Sequence, residues 1–159
     1  KGGIYFSDPK YAEDPQLPQD GEHVYYIKPN AEVIRVADDF KKPNGIIGTH
    51  DGKTFYITDT ELNKTYQYKV NSNGTLTDKE LFVDKGSDGM TLDKDGNLYL
   101  TTMDNNEVEV YSAEGEKLAS VKVPEKPSNV CFGGEKNNEL YITARTSLYR
   151  VKTNTQGVN

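Results

Sequence analysis

Tryptophan is absent from this 159-residue chain, cysteine occurs once, and histidine and methionine occur twice each. A single cysteine rules out any disulfide within the chain and the small stapled scaffolds that depend on one. Cys131 sits in an apolar run and is expected as a buried small hydrophobe, not a nucleophile. His23 and His50 stand apart, with no metal-ligand spacing between them, so zinc-type clusters are not offered and both are expected to be structural or surface groups. No apolar run is long enough to span a bilayer, and no leader-like segment is present, which leaves the compartment open. Positive charge is also short: Lys and Arg total 19 against 25 Asp and Glu, for a net charge of −6. With no basic patch or helix, neither a phosphate backbone nor a membrane surface is expected as a partner. The sequence carries no Gly-x-Ser-x-Gly, no evident Ser-His-Asp set and no phosphate-cradling glycine loop.

What is present is a repeat. A hydrophobic fraction of 34% would suit a disordered chain, but 11 tyrosines and regular strand patterning argue against disorder. Gly86 to Thr101 reads as strand, tight turn, strand, with Asp95-Gly96 as the hairpin signal and Asp88 just before the first strand. The unit recurs from Asn44 through Asp51-Gly52 to Thr58, and from Ser128 through Gly134 to Thr143. A fourth copy enters halfway, at Gly2 to Ser7. Tyr5, Tyr56, Tyr99 and Tyr141 therefore match, at intervals of 51, 43 and 42 residues, and each is followed two residues later by Ser or Thr.

A period of roughly 40–50 residues built from short strands points to β-propeller blades of four antiparallel strands. Third strands are expected at 23–27, 65–70, 107–111 and 147–151, and fourth strands at 33–36, 80–83 and 118–123. The strand count is three, four, four and three, about three and a half blades, whereas a closed ring needs roughly four or more. Residues 1–159 are therefore expected as part of an all-β propeller, its C-terminal blades, with two apolar blade faces left open. Pro43 is expected to stop a ladder before the second inner strand, and the tail from Lys152 to be loose. The one long loop, Asp8 to Gly21, is expected over the mouth of the central channel, with Asp8, Lys10, Tyr11 and Glu13 as its polar and aromatic groups.

The repeat alignment sets Asn44, Asp88 and Asn129 at matching positions beside the inner strands. Each alone is an ordinary turn residue. Together they offer two amides and a carboxylate around one axis, oxygen ligands that suit a hard divalent cation such as Ca²⁺ or Mg²⁺. Such an ion at a channel mouth polarises a carbonyl and acidifies a bound water, whose proton Asp88 is placed to receive.

Several phrases resemble the senescence-marker-protein/gluconolactonase family. These are Gly3-Ile4-Tyr5-Phe6-Ser7-Asp8-Pro9, Lys42-Pro43-Asn44-Gly45-Ile46, Ser87-Asp88-Gly89-Met90, Asn129 to Gly134 followed by Leu140 to Thr143, and Ser147 to Val151. The resemblance implies a six-bladed propeller that hydrolyses sugar-acid lactones such as gluconolactone. It implies Asn44 and Asp88 as metal ligands, Asp88 also as general base, and substrate contacts near the loop after Phe6, with Asp8, Tyr11 and Asn129 as the residues in reach. Calcium is the first expectation, with magnesium, manganese and zinc behind it. The family takes a glutamate ligand from its first blade and a further asparagine from the blade before Lys1, and neither has a counterpart in these residues. An N-terminal half, or a second chain, is therefore the expected partner besides the lactone. Two other readings stand beside this one: a propeller segment that serves as a binding module without chemistry, and a related propeller hydrolase acting on other esters.

Overall fold

The computed structural model describes residues 2–11 and 19–158, and among them are fourteen strands and no helix. The strands form four antiparallel sheets. The first holds β1 (Ile4–Asp8), β2 (His23–Ile27) and β3 (Val33–Ala37) in that order. The second holds β4 (Pro43–Gly48), β5 (Thr54–Asp59), β6 (Lys64–Val70) and β7 (Leu76–Val83), and the third β8 (Ser87–Leu92), β9 (Leu98–Thr102), β10 (Glu107–Tyr111) and β11 (Lys117–Lys122). The fourth holds β12 (Pro127–Gly133), β13 (Glu139–Ala144) and β14 (Ser147–Lys152). The three-four-four-three strand count of the sequence is thus the observed one, and each sheet is a propeller blade. The first residues of the inner strands β4, β8 and β12 lie side by side, and β1 leans on β4.

Three apolar layers fill the spaces between neighbouring sheets. Val24, Phe55 and Ile57 join the first two, Tyr56, Met90 and Leu100 the middle two, and Val108, Val130 and Leu140 the last two. The repeated tyrosines explain themselves here. Tyr5 packs on Phe55 of the next blade at 4.4 Å between ring centres, and its hydroxyl donates to Gly74 O at 2.7 Å. Tyr99 meets Phe132 edge-on at 5.1 Å in the same manner. A large ring with a polar tip fills the gap between two sheets and still satisfies its hydroxyl. Tyr141, the fourth of the set, lies on the open side of the fourth sheet, where its hydroxyl turns to Glu139 at 2.8 Å.

Three expectations need correction. Cys131 is exposed, because side chains alternate along β12: Val130 points to the third sheet and Cys131 to the open face beside Leu148. The segment after β14 is tied down: Lys94 N donates to Gln156 O, Gly157 N donates to Asn137 O, and Asp93 bridges Gly157. Gly157 fits because a Cβ there would lie 2.2 Å from Phe132. Pro43 opens β4 instead of stopping it, paired with Asp59, since the first residue of a strand can forgo its N–H.

Candidate functional site at the heads of the inner strands

Each inner strand begins with a β-bulge. On β4 the pairing jumps from Pro43↔Asp59 to Ile46↔Ile57, so that Asn44 and Gly45 share one partner position. On β8 it jumps from Ser87↔Thr102 to Met90↔Leu100, so Asp88 and Gly89 do the same. Asp88 therefore lies inside its strand and not before it. A bulge re-aims the side chain it carries, and here it turns an amide and a carboxylate toward each other. Asn44 Nδ2 donates to Asp88 Oδ1 at 2.6 Å. Both residues are half-buried.

The glycines after them permit this approach. A Cβ on Gly45 would lie 2.9 Å from Asp88 O, and one on Gly89 would lie 2.2 Å from Asn129 Oδ1. Hydroxyls from the second strands hold the heads in place. Ser7 Oγ donates to Asn44 O at 2.7 Å, and Thr58 Oγ1 donates to Ser87 O at 2.6 Å. Asp59, fully buried, accepts backbone N–H bonds from Lys41 at 2.7 Å and from Leu62 at 2.9 Å. That carboxylate pins the crossing that leads into Asn44 and was not singled out in the sequence. The four bonds it receives come from two separate chain segments, which no local pattern joins.

The long loop reaches this point through Tyr11. Its hydroxyl lies 2.5 Å from Asn44 Nδ2, and Lys42 Nζ sits 5.6 Å from its ring centre. Partial burial and then the Asp88 charge push the Tyr11 phenol above its usual pKa, although the bond from Asn44 pulls the other way. Tyr11 thus stays a neutral hydroxyl able to donate. Lys10 N donates to Glu22 Oε2 at 2.8 Å and steadies the stem of the loop. Glu13 lies outside the described residues.

The other two candidates sit elsewhere. Asp8 ends β1 opposite His23, is exposed, and accepts a bond from Gln19 Nε2 at 3.1 Å. Asn129 is not the match of Asn44 and Asp88. The pairing Val130↔Ile142 aligns Val130 with Ile46 and Met90, so Ser128 takes the position of Asn44 and Asp88, and Asn129 takes that of the glycines. A one-residue slip in the alignment exchanges the two faces of a strand. Asn129 Oδ1 accepts from Val130 N at 2.8 Å, and its side chain lies against Gly89.

A cleft of about 330 Å³ opens beside Asp88, bordered by Lys126, Pro127, Ser128 and Arg145. None of its two cations or its serine was a sequence candidate. Their one signal was position: Lys126-Pro127-Ser128 stands where Lys42-Pro43-Asn44 stands in the second blade.

Amide nitrogen and oxygen exchange places by a half-turn, so the atom of Asn44 now facing Asp88 is interchangeable with Oδ1. An amide oxygen and a carboxylate that converge within one hydrogen bond fit a hard cation. Among the described residues no group of three or more His, Cys, Asp or Glu is placed to hold a metal ion, so these two would supply only part of a coordination shell.

Comparison with known proteins settles the lineage. The profile of the SMP-30/gluconolactonase/LRE-like region matches residues 1–146. The chain belongs to this family. Over 176 aligned positions it is 28% identical to a gluconolactonase of Zymomonas mobilis, covering 98% of this chain and 49% of that protein. It is 32% identical over 136 positions to a pentonolactonase of Haloferax volcanii, covering 80% of this chain and 47% of the relative. Among solved structures, a gluconolactonase from Xanthomonas campestris superposes with a TM-score of 0.84 at 25% identity, over 94% of this chain and 53% of that one. The SMP-30/gluconolactonase chain described here thus spans about half the length of the curated relatives it matches.

Proposed function

We propose that this chain supplies the Asn44–Asp88 side of a lactone-hydrolase centre that acts on sugar-acid lactones. The observation that carries the reading is the meeting of Asn44 and Asp88 at 2.6 Å on two bulged strand heads, under the Tyr11 hydroxyl. The gluconolactonase and pentonolactonase relatives support the substrate class. Asn44 Oδ1 and the Asp88 carboxylate are the groups that would hold a divalent cation, calcium by preference for an all-oxygen set. Such an ion supplies Lewis-acid polarisation of the carbonyl and a more acidic water.

The chain's own residues do the rest. With the Asn44 amide turned so that its oxygen faces the ion, the Asp88 oxygen not engaged there would take the proton of the attacking water. Tyr11 orients Asn44 and presents a neutral hydroxyl to the substrate side. The water oxygen bonds to the lactone carbonyl carbon, the ring C–O bond breaks, and the proton ends on the departing ring oxygen, giving a hydroxy acid. Partners for the remaining ligands, an N-terminal half or a second chain, belong to the same proposal.

Calorimetric titration of the chain with Ca²⁺, beside Asp88→Ala, tests the reading. Sub-millimolar binding lost in the variant, with lactone hydrolysis that follows the metal, is the expected result. A folded chain that binds no divalent ion and hydrolyses no lactone, alone or with the missing half of a relative supplied, would overturn it in favour of a non-catalytic binding module.

A further inference from the structure

Two cations, Lys126 and Arg145, border the cleft beside Asp88. Lys126 follows the crossing into β12, and Arg145 sits in the turn between β13 and β14. Glu125, next to Lys126 in sequence, does not border the cleft and is engaged by the β13–β14 turn. Glu125 accepts from Thr146 N at 3.1 Å and Ser147 Oγ at 2.8 Å. Those bonds, the Thr146 N–H first, hold its carboxyl below the usual range. Glu125 thus clamps the β13–β14 turn in which Arg145 stands. No ion pair joins Lys126 or Arg145 to a described residue, whereas other cations of this acidic chain, such as Lys79, Lys85 and Lys117, are paired.

Two positive charges, Lys126 and Arg145, and the Ser128 hydroxyl border the cleft together with one carboxylate, that of Asp88. A cleft lined mainly by one sign of charge concentrates ligands of the other sign. Guanidinium and ammonium together suit a carboxylate or a phosphate: Arg offers a planar fork, Lys a point charge.

Resting on the lactonase reading, we infer that Lys126, Ser128 and Arg145 form an anion subsite, and that the substrates are sugar lactones bearing an acidic group away from the ring carbonyl. The carbonyl then lies at Asn44 and Asp88, and the acidic substituent lies toward the fourth blade. The acidic group is a second carboxylate or a phosphate ester, which the rim chemistry does not separate.

The test compares kcat/KM on three substrates: uncharged gluconolactone, a carboxylate-bearing glucarolactone and a 6-phosphogluconolactone. The enzymes are the wild type, Lys126→Ala, Arg145→Ala and the double variant. The wild type should prefer one of the acidic lactones, and which one names the anion. In the double variant the ratio of acidic to uncharged substrate should fall about tenfold, as expected for loss of charge-assisted hydrogen bonds. Added salt should erode the same ratio. An unchanged ratio overturns the subsite. Titration with inorganic phosphate and with glucarate, without turnover, is the separate arm. Binding lost in the double variant but kept in Asp88→Asn upholds the subsite even where no lactone is cleaved, in which case the lactonase reading alone falls. Phosphate and glucarate binding indifferent to both cations overturns the subsite whatever the activity.

Discussion

The heads of β4 and β8 differ from the head of β12, although all three descend from one repeated unit. At the first two, a bulge carries Asn44-Gly45 and Asp88-Gly89, and the polar side chain turns inward while the glycine lets the next strand press close. At the third, Ser128-Asn129 occupies the same register, both residues are exposed, and the asparagine side chain accepts from its own neighbour's N–H. The difference follows from what stands next door. Gly45 and Gly89 face the strand of a following blade, and among the described residues nothing faces Asn129 from its far side. Repetition in sequence therefore does not guarantee repetition of chemistry. A ring position becomes a site where its neighbour completes it.

The largest effect should separate Asp88 from Ser128. Asp88→Asn keeps the shape and removes the proposed base, and should lower lactone turnover by about 10²–10⁴-fold. Ser128→Ala, at the matching register, should lower turnover of gluconolactone by less than about threefold. Steady-state assays on both variants decide it, and comparable losses would make the two heads equivalent after all.

The glycines come next. Gly89→Ala forces a methyl to within 2.2 Å of Asn129 Oδ1 and 2.7 Å of its Cα, and should cost about 1–3 kcal/mol by overpacking. Asn129→Ala should cost less than about 0.5 kcal/mol, as a surface change. Urea unfolding midpoints report both. Combining the two changes should recover only part of the loss, because the backbone contact remains.

A third comparison uses two carboxylates. Glu109 on β10 is buried, where burial pushes its pKa up, but bonds from Lys117 Nζ at 2.6 Å and from Tyr111 OH hold it lower on balance. Asp20 lies in solvent, and the bonds from Arg35 and then His23 bring its carboxyl down to about 2. Both folded values are depressed, so each contribution is present above the unfolded value and is lost as pH falls through the folded one. Glu109→Gln should cost about 1–2 kcal/mol at neutral pH and remove part of the stability loss otherwise seen on acidification below the ordinary glutamate value of 4.5. Asp20→Asn should lower stability only slightly, by an even amount above about pH 4, because the carboxyl is solvent-screened, and the two curves should converge as pH falls toward about 2. Thermal melts across that range distinguish the two.

The smallest effect belongs to Tyr11. Tyr11→Phe removes one hydroxyl from Asn44 and should lower kcat/KM by about three- to tenfold, with fold stability unchanged. An unaltered rate would confine the loop to a covering role.

Much of this was legible in one dimension. Tyr5, Tyr56, Tyr99 and Tyr141 marked the period because a ring between two sheets is needed once per blade, and a need that recurs in space recurs in sequence. Asn44 and Asp88 were legible because each stands beside a glycine in a phrase shared with a family. Asn129 was misassigned because the run between the matched pair Val130↔Ile142 of β12 and β13 is longer than those between Ile46↔Ile57 and Met90↔Leu100, so counting back from the matched tyrosine lands one residue past Ser128. Cys131 looked buried for another reason. Alternation states that one face of a strand is covered, but not whether the other has a neighbour.

Strand number, strand order within each blade, turn positions and the pair Asn44 and Asp88 were determined by the sequence itself, since they depend on contacts a few residues apart. The bulges that aim that pair, the burial of Asp59 and Glu109, the anchoring of the tail through Gly157, and the gathering of Lys126, Ser128 and Arg145 around Asp88 were decided only in three dimensions. Each depends on which segment of the chain comes to lie alongside, often a relation between residues tens of positions apart that no local pattern encodes.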